Sequence, residues 1–161
     1  VRSRGLGDVY KRQVFNLYEL SQEIAFNIDE WSKIISDASA VIYQFPFYWM
    51  SAPSLLKKWQ DEVFTFLSKT PAVAGKPLTV VTTTGSEYEA YRSGGRNRFT
   101  TDELLRPYQV SAIHSGMSWQ TPIVVYGMGT ADAGKNIAEG ANLYKQRVEM
   151  LIGSSNAGNN W

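Results

Sequence analysis

Val41-Ile42-Tyr43-Gln44-Phe45-Pro46-Phe47-Tyr48-Trp49-Met50-Ser51-Ala52-Pro53 decides the reading of this chain. The β-branched and aromatic residues from Val41 to Phe45 predict a strand. An aromatic loop follows and stops at Pro53, a residue suited to the first turn of a helix. A strand, a loop and a helix in that order make half of a βαβ unit, and α/β sheets hold their ligands at the carboxyl ends of such strands. Phe47, Tyr48 and Trp49 are awkward to bury together as core but suit a planar heterocycle. A hydrophobic plug between strand and helix, or an interface between copies of the chain, would use the same residues.

The pattern continues downstream. Leu55, Leu56, Trp59, Val63, Phe64 and Leu67 form the buried stripe of a helix from Pro53 to about Leu67. Gly75-Lys76-Pro77 breaks the chain before Leu78 to Val81, an apolar and β-branched run of the kind found in buried parallel strands, which ends in Thr82-Thr83-Thr84-Gly85-Ser86. Glu87 to Thr100 is polar and rich in glycine, arginine and tyrosine, and is expected to be a long loop of the functional kind. Asp102 is expected to cap a helix through Leu104, Leu105, Tyr108 and Ile113, bent at Pro107 and ended by Gly116. Ile123 to Tyr126 reads as the last strand and Ala133 to Ile152 as a closing helix, with residues 153–161 a tail. Upstream, Val14 to Leu17 reads as a short strand, and Asp29 as the cap of a helix carrying Trp31, Ile34 and Ile35 on one face. Strands and helices alternating at this spacing predict an α/β fold with a parallel sheet covered on both faces.

Composition narrows the chemistry. With 161 residues, 43% of them hydrophobic, the chain has material for one core and one domain. It has no cysteine and a single histidine, so disulfides, thiolate metal sites, a cysteine nucleophile and multi-histidine metal sites are excluded. No run of ~18 apolar residues interrupts it, and the formal charge of +1 with no lysine-arginine stripe gives no nucleic-acid footprint. A cytoplasmic protein is expected. His114 reads as a packed or surface residue, and Ser86 and Ser115 lack the partners of a nucleophile. Arg92, Arg96 and Arg98 suit either a solvated loop or the phosphates of a dinucleotide.

Residues 1–13 (VRSRGLGDVYKRQ) stand apart, with four of the sixteen basic residues, one of the fifteen acids and no periodicity. They read as a non-native leader translated from vector sequence, or as a disordered basic arm. The remainder, with twelve basic and fourteen acidic residues, carries a net charge of −2.

Gln44-Phe45-Pro46-Phe47-Tyr48-Trp49, Leu55-Leu56-Lys57-Lys58-Trp59, Asp61-Glu62-Val63-Phe64, Val81-Thr82-Thr83-Thr84-Gly85-Ser86, Gly116-Met117-Ser118-Trp119 and Tyr144-Lys145-Gln146-Arg147 together resemble the flavodoxin-like NAD(P)H quinone oxidoreductases. The likeness spans residues 14–152. Within the family it is similar to the bacterial branch of general stress protein 14 and the ancillary subunits of potassium-efflux systems. The resemblance implies a three-layer sandwich with a five-stranded sheet of order 2-1-3-4-5, and a two-fold dimer with active sites at its interface. It implies bound FMN, or FAD, with NADH or NADPH as co-substrate and a quinone-like acceptor. Phe47, Tyr48, Trp49 and Met50 would then pack on the flavin, while Thr83, Thr84, Gly85 and Ser86 would contact its polar rim. Tyr91 takes the place of the tyrosine that steadies charge during hydride transfer, with Tyr88 a competitor, and Asn97 replaces the family's histidine. Ser86 replaces a second glycine. The family's first strand and its phosphate-holding loop have no match here, so the sheet is expected to lack that strand or to have it replaced. The alternative function that the resemblance offers is a regulatory subunit of a potassium-efflux transporter, placed peripherally at the inner membrane.

Overall fold

The computed structural model describes residues 13–20 and 25–157. Its sheet follows from one strand. β2, Pro77–Thr83, has five consecutive buried residues, Leu78 to Thr82, as expected of a strand covered on both faces. β1, Val41–Pro46, runs parallel along one edge of β2 in a register that pairs Val41 with Leu78 and Pro46 with Thr83. Along the other edge lie two short parallel strands end to end, β3 (Ser118–Trp119) beside Pro77 and Leu78, and β4 (Ile123–Val125) beside Val81 to Thr83. Four strands thus occupy three positions. The gap at residues 120–122 contains Pro122, which has no N–H to give a ladder; Thr79 Oγ1 instead donates to Thr121 O at 3.1 Å and Gln120 N–H to Leu78 O at 2.9 Å.

Sequence alone missed β3 and ran the following strand one residue too far. Against the five positions of the expected order 2-1-3-4-5, the described residues form three adjacent ones. None of the described residues pairs with the outer edge of β1. The leader or arm expected over residues 1–13 lies, apart from Gln13, outside the described residues.

The helices are α1 (Leu17–Leu20), α2 (Ile28–Asp37), α3 (Ser54–Trp59), α4 (Thr65–Leu67), α5 (Thr101–Leu104), α6 (Arg106–His114) and α7 (Ala133–Ala157). A π-helical turn, Gln60–Phe64, joins α3 to α4 into the single rod expected up to Leu67. The strand expected at Val14 to Leu17 does not form, because Asn16 starts a helical turn instead: its Oδ1 accepts from Tyr18 N–H and its carbonyl from Glu19 N–H. The tail expected at residues 153–161 is helical through Ala157.

Helix caps correct two further expectations. Asn27, not Asp29, caps α2, its Oδ1 accepting from Asp29 and Glu30 N–H. Thr100, not Asp102, caps α5, in a reciprocal box with Glu103. The helix expected to bend at Pro107 is two helices that part at Leu105, with Pro107 in the first turn of α6. Glu103 Oε2 accepts from both Thr100 N–H and Thr100 Oγ1 at 2.8 Å, and these bonds hold its carboxyl below the ordinary glutamate range. A depressed carboxyl stabilises the fold above its unfolded value near 4.5 and loses that contribution as pH falls through the folded value. Glu103→Gln is expected to make the fall in melting temperature between about pH 5 and 3 shallower than in the parent, as thermal melts across that range would read.

The main core lies on one face of the sheet. Tyr43 and Phe45 point there from β1 and meet Trp31, Ile35, Leu56, Trp59, Val63 and Tyr108. Trp59 stands edge-on to Trp31 and Tyr43, with ring centroids 5.2 and 5.9 Å away. On the other face α7 lies against β4. Gly140 permits the approach, since a Cβ there would come within 2.3 Å of Val125 Cγ2. The result is an α/β fold with helices on both sides of a parallel sheet.

Candidate functional site

Parallel strands bring their carboxyl ends to one rim, and here three chains leave it at the same height. Pro46, Thr83 and Val125 are in register. Phe47 N–H donates to Thr83 O and Thr84 N–H to Val125 O, both at 2.9 Å.

The aromatic loop after β1 turns back on itself. Tyr48 N–H donates to Ser51 O at 2.9 Å and Ser51 N–H to Tyr48 O at 3.0 Å, a two-residue hairpin with Trp49 and Met50 at its tip. Both tip residues have positive φ, 48° and 63°. That pattern marks a type I′ turn, which favours Asn and Gly; a bulky side chain there is strained. Strain of this kind persists only where the surroundings impose it. Tyr108 of α6 imposes it, its hydroxyl lying 3.2 Å from Ser51 Oγ and accepting from Ala52 N–H at 3.1 Å. The turn therefore projects its side chains outwards: Trp49 is 98% exposed, Tyr48 59% and Met50 43%.

The loop after β2 is knitted to the one after β4. Thr84 is fully buried, and its Oγ1 donates to Ser86 O at 2.8 Å. The carbonyls of Thr84, Gly85 and Ser86 accept from Met128, Gly129 and Gly127 N–H at 2.8–2.9 Å. With the carbonyls engaged, the N–H groups of Gly85 and Ser86 find no acceptor among the described residues. The space in front of Gly85 is open, since a Cβ there would meet nothing within 4 Å. The Ser86 hydroxyl is already held by Arg96 Nη2 at 2.5 Å, and Arg96 also lies 3.9 Å from Glu87.

The expected long loop from Glu87 to Thr100 contains one 3₁₀ turn, Tyr88–Tyr91. It buries Tyr91, whose ring lies 6.2 Å from Phe47 and 5.9 Å from Tyr126. Asn97 N–H donates to Ala90 O at 3.1 Å, next to Tyr91, and its side-chain Nδ2 is buried with no partner among the described residues. Tyr126 hydrogen-bonds Thr101 Oγ1 through its hydroxyl at 2.6 Å. Burial pushes its phenol above the ordinary range, and the Thr101 bond opposes this.

The structure thus gathers Phe47, Thr83 to Ser86 and Tyr91 at one rim, with Tyr48, Trp49 and Met50 on an arm beside them. They form an open shelf. Two cavities, of about 710 and 360 Å3, are lined by neither Phe47 to Met50 nor Thr83 to Ser86, although Tyr91 borders the larger of them. Sequence reasoning missed three participants: Tyr108, read only as a residue of a helix; Tyr126, read as strand; and the Gly127-to-Gly129 loop, whose two glycines just after a strand were the available signal.

The shelf suits the ring of a flavin. An aromatic arm offers stacking area, two unengaged N–H donors match carbonyl and ring-nitrogen acceptors, and Gly85 leaves room for close approach. No group of three or more metal-ligating side chains occurs among the described residues.

An uncharacterised NAD(P)H oxidoreductase of Bacillus subtilis (strain 168) is 34% identical over 142 residues, covering 86% of this chain and 72% of its own. The glutathione-regulated potassium-efflux system ancillary protein of Cronobacter sakazakii is 35% identical over 117 residues, covering 70% of this chain and 64% of its own. The crystal structure of general stress protein 14 from Treponema denticola, in complex with FMN, superposes with a TM-score of 0.75 at 26% identity, covering 84% of this chain and 79% of that one. Residues 5–148 match the family of flavodoxin-like fold proteins known as Flavodoxin_2. The chain belongs to that family.

Proposed function

We propose that this chain is an FMN-dependent NAD(P)H oxidoreductase that passes hydride from a nicotinamide to a quinone-like acceptor. The observation that carries this reading is the shelf itself: a strained aromatic turn and two unengaged amides at the carboxyl ends of adjacent parallel strands. A relative named as an NAD(P)H oxidoreductase and a structural neighbour holding FMN support it. The bound flavin would supply the hydride-accepting and hydride-donating centre.

The chain's own residues have separate tasks in this reading. Trp49, Tyr48 and Met50 cover the ring and exclude water, with Phe47 beneath them. Gly85 and Ser86 N–H groups donate to the ring's polar edge and favour the negative charge that arrives with the hydride. Thr83 and Thr84 hold that loop to the sheet. Tyr91 is the phenol beside Phe47 that steadies charge at the reacting edge, and Asn97 contributes its spare N–H donor from the same loop. A nicotinamide and a quinone are both planar, so one face can take them in turn.

A homodimer and a cytoplasmic location belong to the same proposal. The dimer would cover Trp49, whose near-complete exposure is costly for an indole left unpartnered. No helix among the described residues is long and apolar enough to cross a membrane. Service as an ancillary subunit of a potassium-efflux system is a second reading, favoured by the Cronobacter relative.

Titration of the purified chain with FMN is expected to quench flavin fluorescence saturably at one site per chain. NADH or NADPH should then reduce the bound flavin, and a benzoquinone should reoxidise it. A folded chain that leaves FMN fluorescence unchanged would remove the oxidoreductase reading.

A further inference from the structure

The larger cavity, about 710 Å3, lies on the far side of the Tyr91–Tyr126 wall from Phe47. Its volume falls within the range of small-molecule sites. Its floor is the outer side of β4, one wall is the loop carrying Tyr88 and Arg92, and the other is α7 with Leu143, Arg147 and Met150. We infer that this cavity is a binding site for a planar aromatic monoanion, separate from the shelf at the strand ends.

Three observations carry this. First, the walls offer flat and apolar area together: Tyr88 stands edge-on to Tyr126 with ring centroids 5.3 Å apart, and Leu143 and Met150 are each about half exposed on the cavity's helical side. Exposed apolar groups bordering a recess favour an occupant that removes them from water.

Second, both walls carry a cation with no ion-pair partner among the described residues, Arg92 and Arg147, although five other basic side chains have carboxylate partners within 4 Å. Both cations are held in place. The Arg92 guanidinium lies 5.3 Å from the Tyr88 ring centroid, and Arg147 donates to Thr121 O. A guanidinium fixed in this way has further N–H donors to offer a carboxylate or sulfonate at small entropic cost.

Third, the one carboxylate on the lining, Asp102, makes no ion pair with either arginine among the described residues. Its negative charge on the same lining disfavours a second negative group on the ligand. One charge and a flat ring are what the lining selects.

Because Tyr91 borders this cavity and touches Phe47, an occupant would press on the residue that meets the proposed flavin face. That coupling rests on the proposed function, whereas binding in the cavity does not.

The test uses 2-naphthoate as probe and its uncharged amide as control, followed by calorimetry on the whole chain with and without saturating FMN. Naphthoate is expected to bind once per chain in both conditions, and the amide at least about tenfold more weakly. Arg92→Ala should weaken naphthoate about tenfold, and Leu143→Trp should block it by filling the cavity. Trp49→Ala should leave it unchanged. Circular dichroism checks that each variant folds; Arg92 lies on an exposed loop, so its variant keeps the test decisive if Leu143→Trp does not fold. Equal binding of acid and amide, no effect of Arg92→Ala, no binding up to millimolar naphthoate, or loss on Trp49→Ala or FMN addition would each overturn the assignment. The last of these would place the anion on the shelf instead. Failure of FMN to bind would leave the naphthoate result standing, so the two ideas fall separately.

Discussion

Replacing Trp49 and Met50 together by Asn and Gly is expected to raise the melting temperature of the free chain while weakening FMN binding about 100-fold. The two effects have one cause. Both residues sit at positive φ, where a side chain costs on the order of 1–2 kcal/mol and Asn-Gly is the preferred pair. Trp49, at 98% exposure, contributes almost no packing to the free fold, so its removal sacrifices little. Relief of about 2 kcal/mol corresponds to roughly 4–8 °C in a domain of this size. The same substitution strips the arm of its aromatic surface, and stacking of a planar ring on an indole contributes about 1–3 kcal/mol, part of which the lost methionine adds to. Calorimetric melts of the free chain and fluorescence titration with FMN read the two arms separately. A lower melting temperature would mean that the turn is held by packing that exposure does not reveal. Unchanged FMN affinity would mean that the aromatic arm is not where the ring lies.

That trade explains why some of this protein is legible from its residues and some is not. β2 announces itself because a parallel strand buried on both faces needs a continuous apolar and β-branched run, which Leu78 to Val81 supplies, whereas β1 is legible from its β-branched and aromatic residues, with Tyr43 and Phe45 buried and Gln44 between them exposed. β3 is not legible, because Ser118 and Trp119 are a strand only through the backbone of Pro77 and Leu78. Helix starts were misplaced at Asp29 and Asp102 for a related reason: several residues in each stretch can accept from a backbone N–H, and only the folded chain chooses Asn27 and Thr100.

At the site, Phe47 to Met50 and Thr83 to Ser86 could be named because loops at strand ends are where α/β folds work. The shape they adopt could not. Trp and Met are among the residues least suited to a type I′ turn, so their local preference argues against the observed conformation. What overrides that preference comes from Tyr108, 57 residues away from Ser51 along the chain, and no local pattern encodes such a contact. Tyr126 is hidden in the same way, its role resting on Thr101, 25 residues earlier. Conflict between local preference and final geometry is concentrated at the shelf, as expected where stability has been exchanged for binding.

Gly95→Ala should be the most damaging single methyl addition in the loop that carries Tyr91. A Cβ at position 95 would stand 2.2 Å from Glu89 O and 2.7 Å from Ala90 O. Both are backbone atoms, so no side chain can swing aside, and the loop itself must open. The 3₁₀ turn and the returning segment are joined there by Gly95 N–H to Arg92 O at 2.8 Å and by Asn97 N–H to Ala90 O at 3.1 Å. Opening would draw Tyr91 away from Phe47 and release Arg96 from Ser86, loosening the strand-end shelf on two sides. Overpacking against backbone costs about 1–3 kcal/mol, and displacement of positioned groups by about 1 Å costs on the order of 100-fold in turnover. Gly94→Ala is the control. Its φ of 91° makes alanine strained, but a Cβ there would meet nothing within 4 Å, so the cost is the backbone penalty alone, about 1–2 kcal/mol. Urea unfolding midpoints and quinone-dependent NAD(P)H oxidation should therefore separate the pair, with turnover lost chiefly in Gly95→Ala. Equal turnover in the two variants would show that the loop's closure around Tyr91 contributes nothing to catalysis. A Gly95→Ala chain as stable as its parent would show that Glu89 and Ala90 yield without cost, and the loop would then have to be regarded as pliable rather than built.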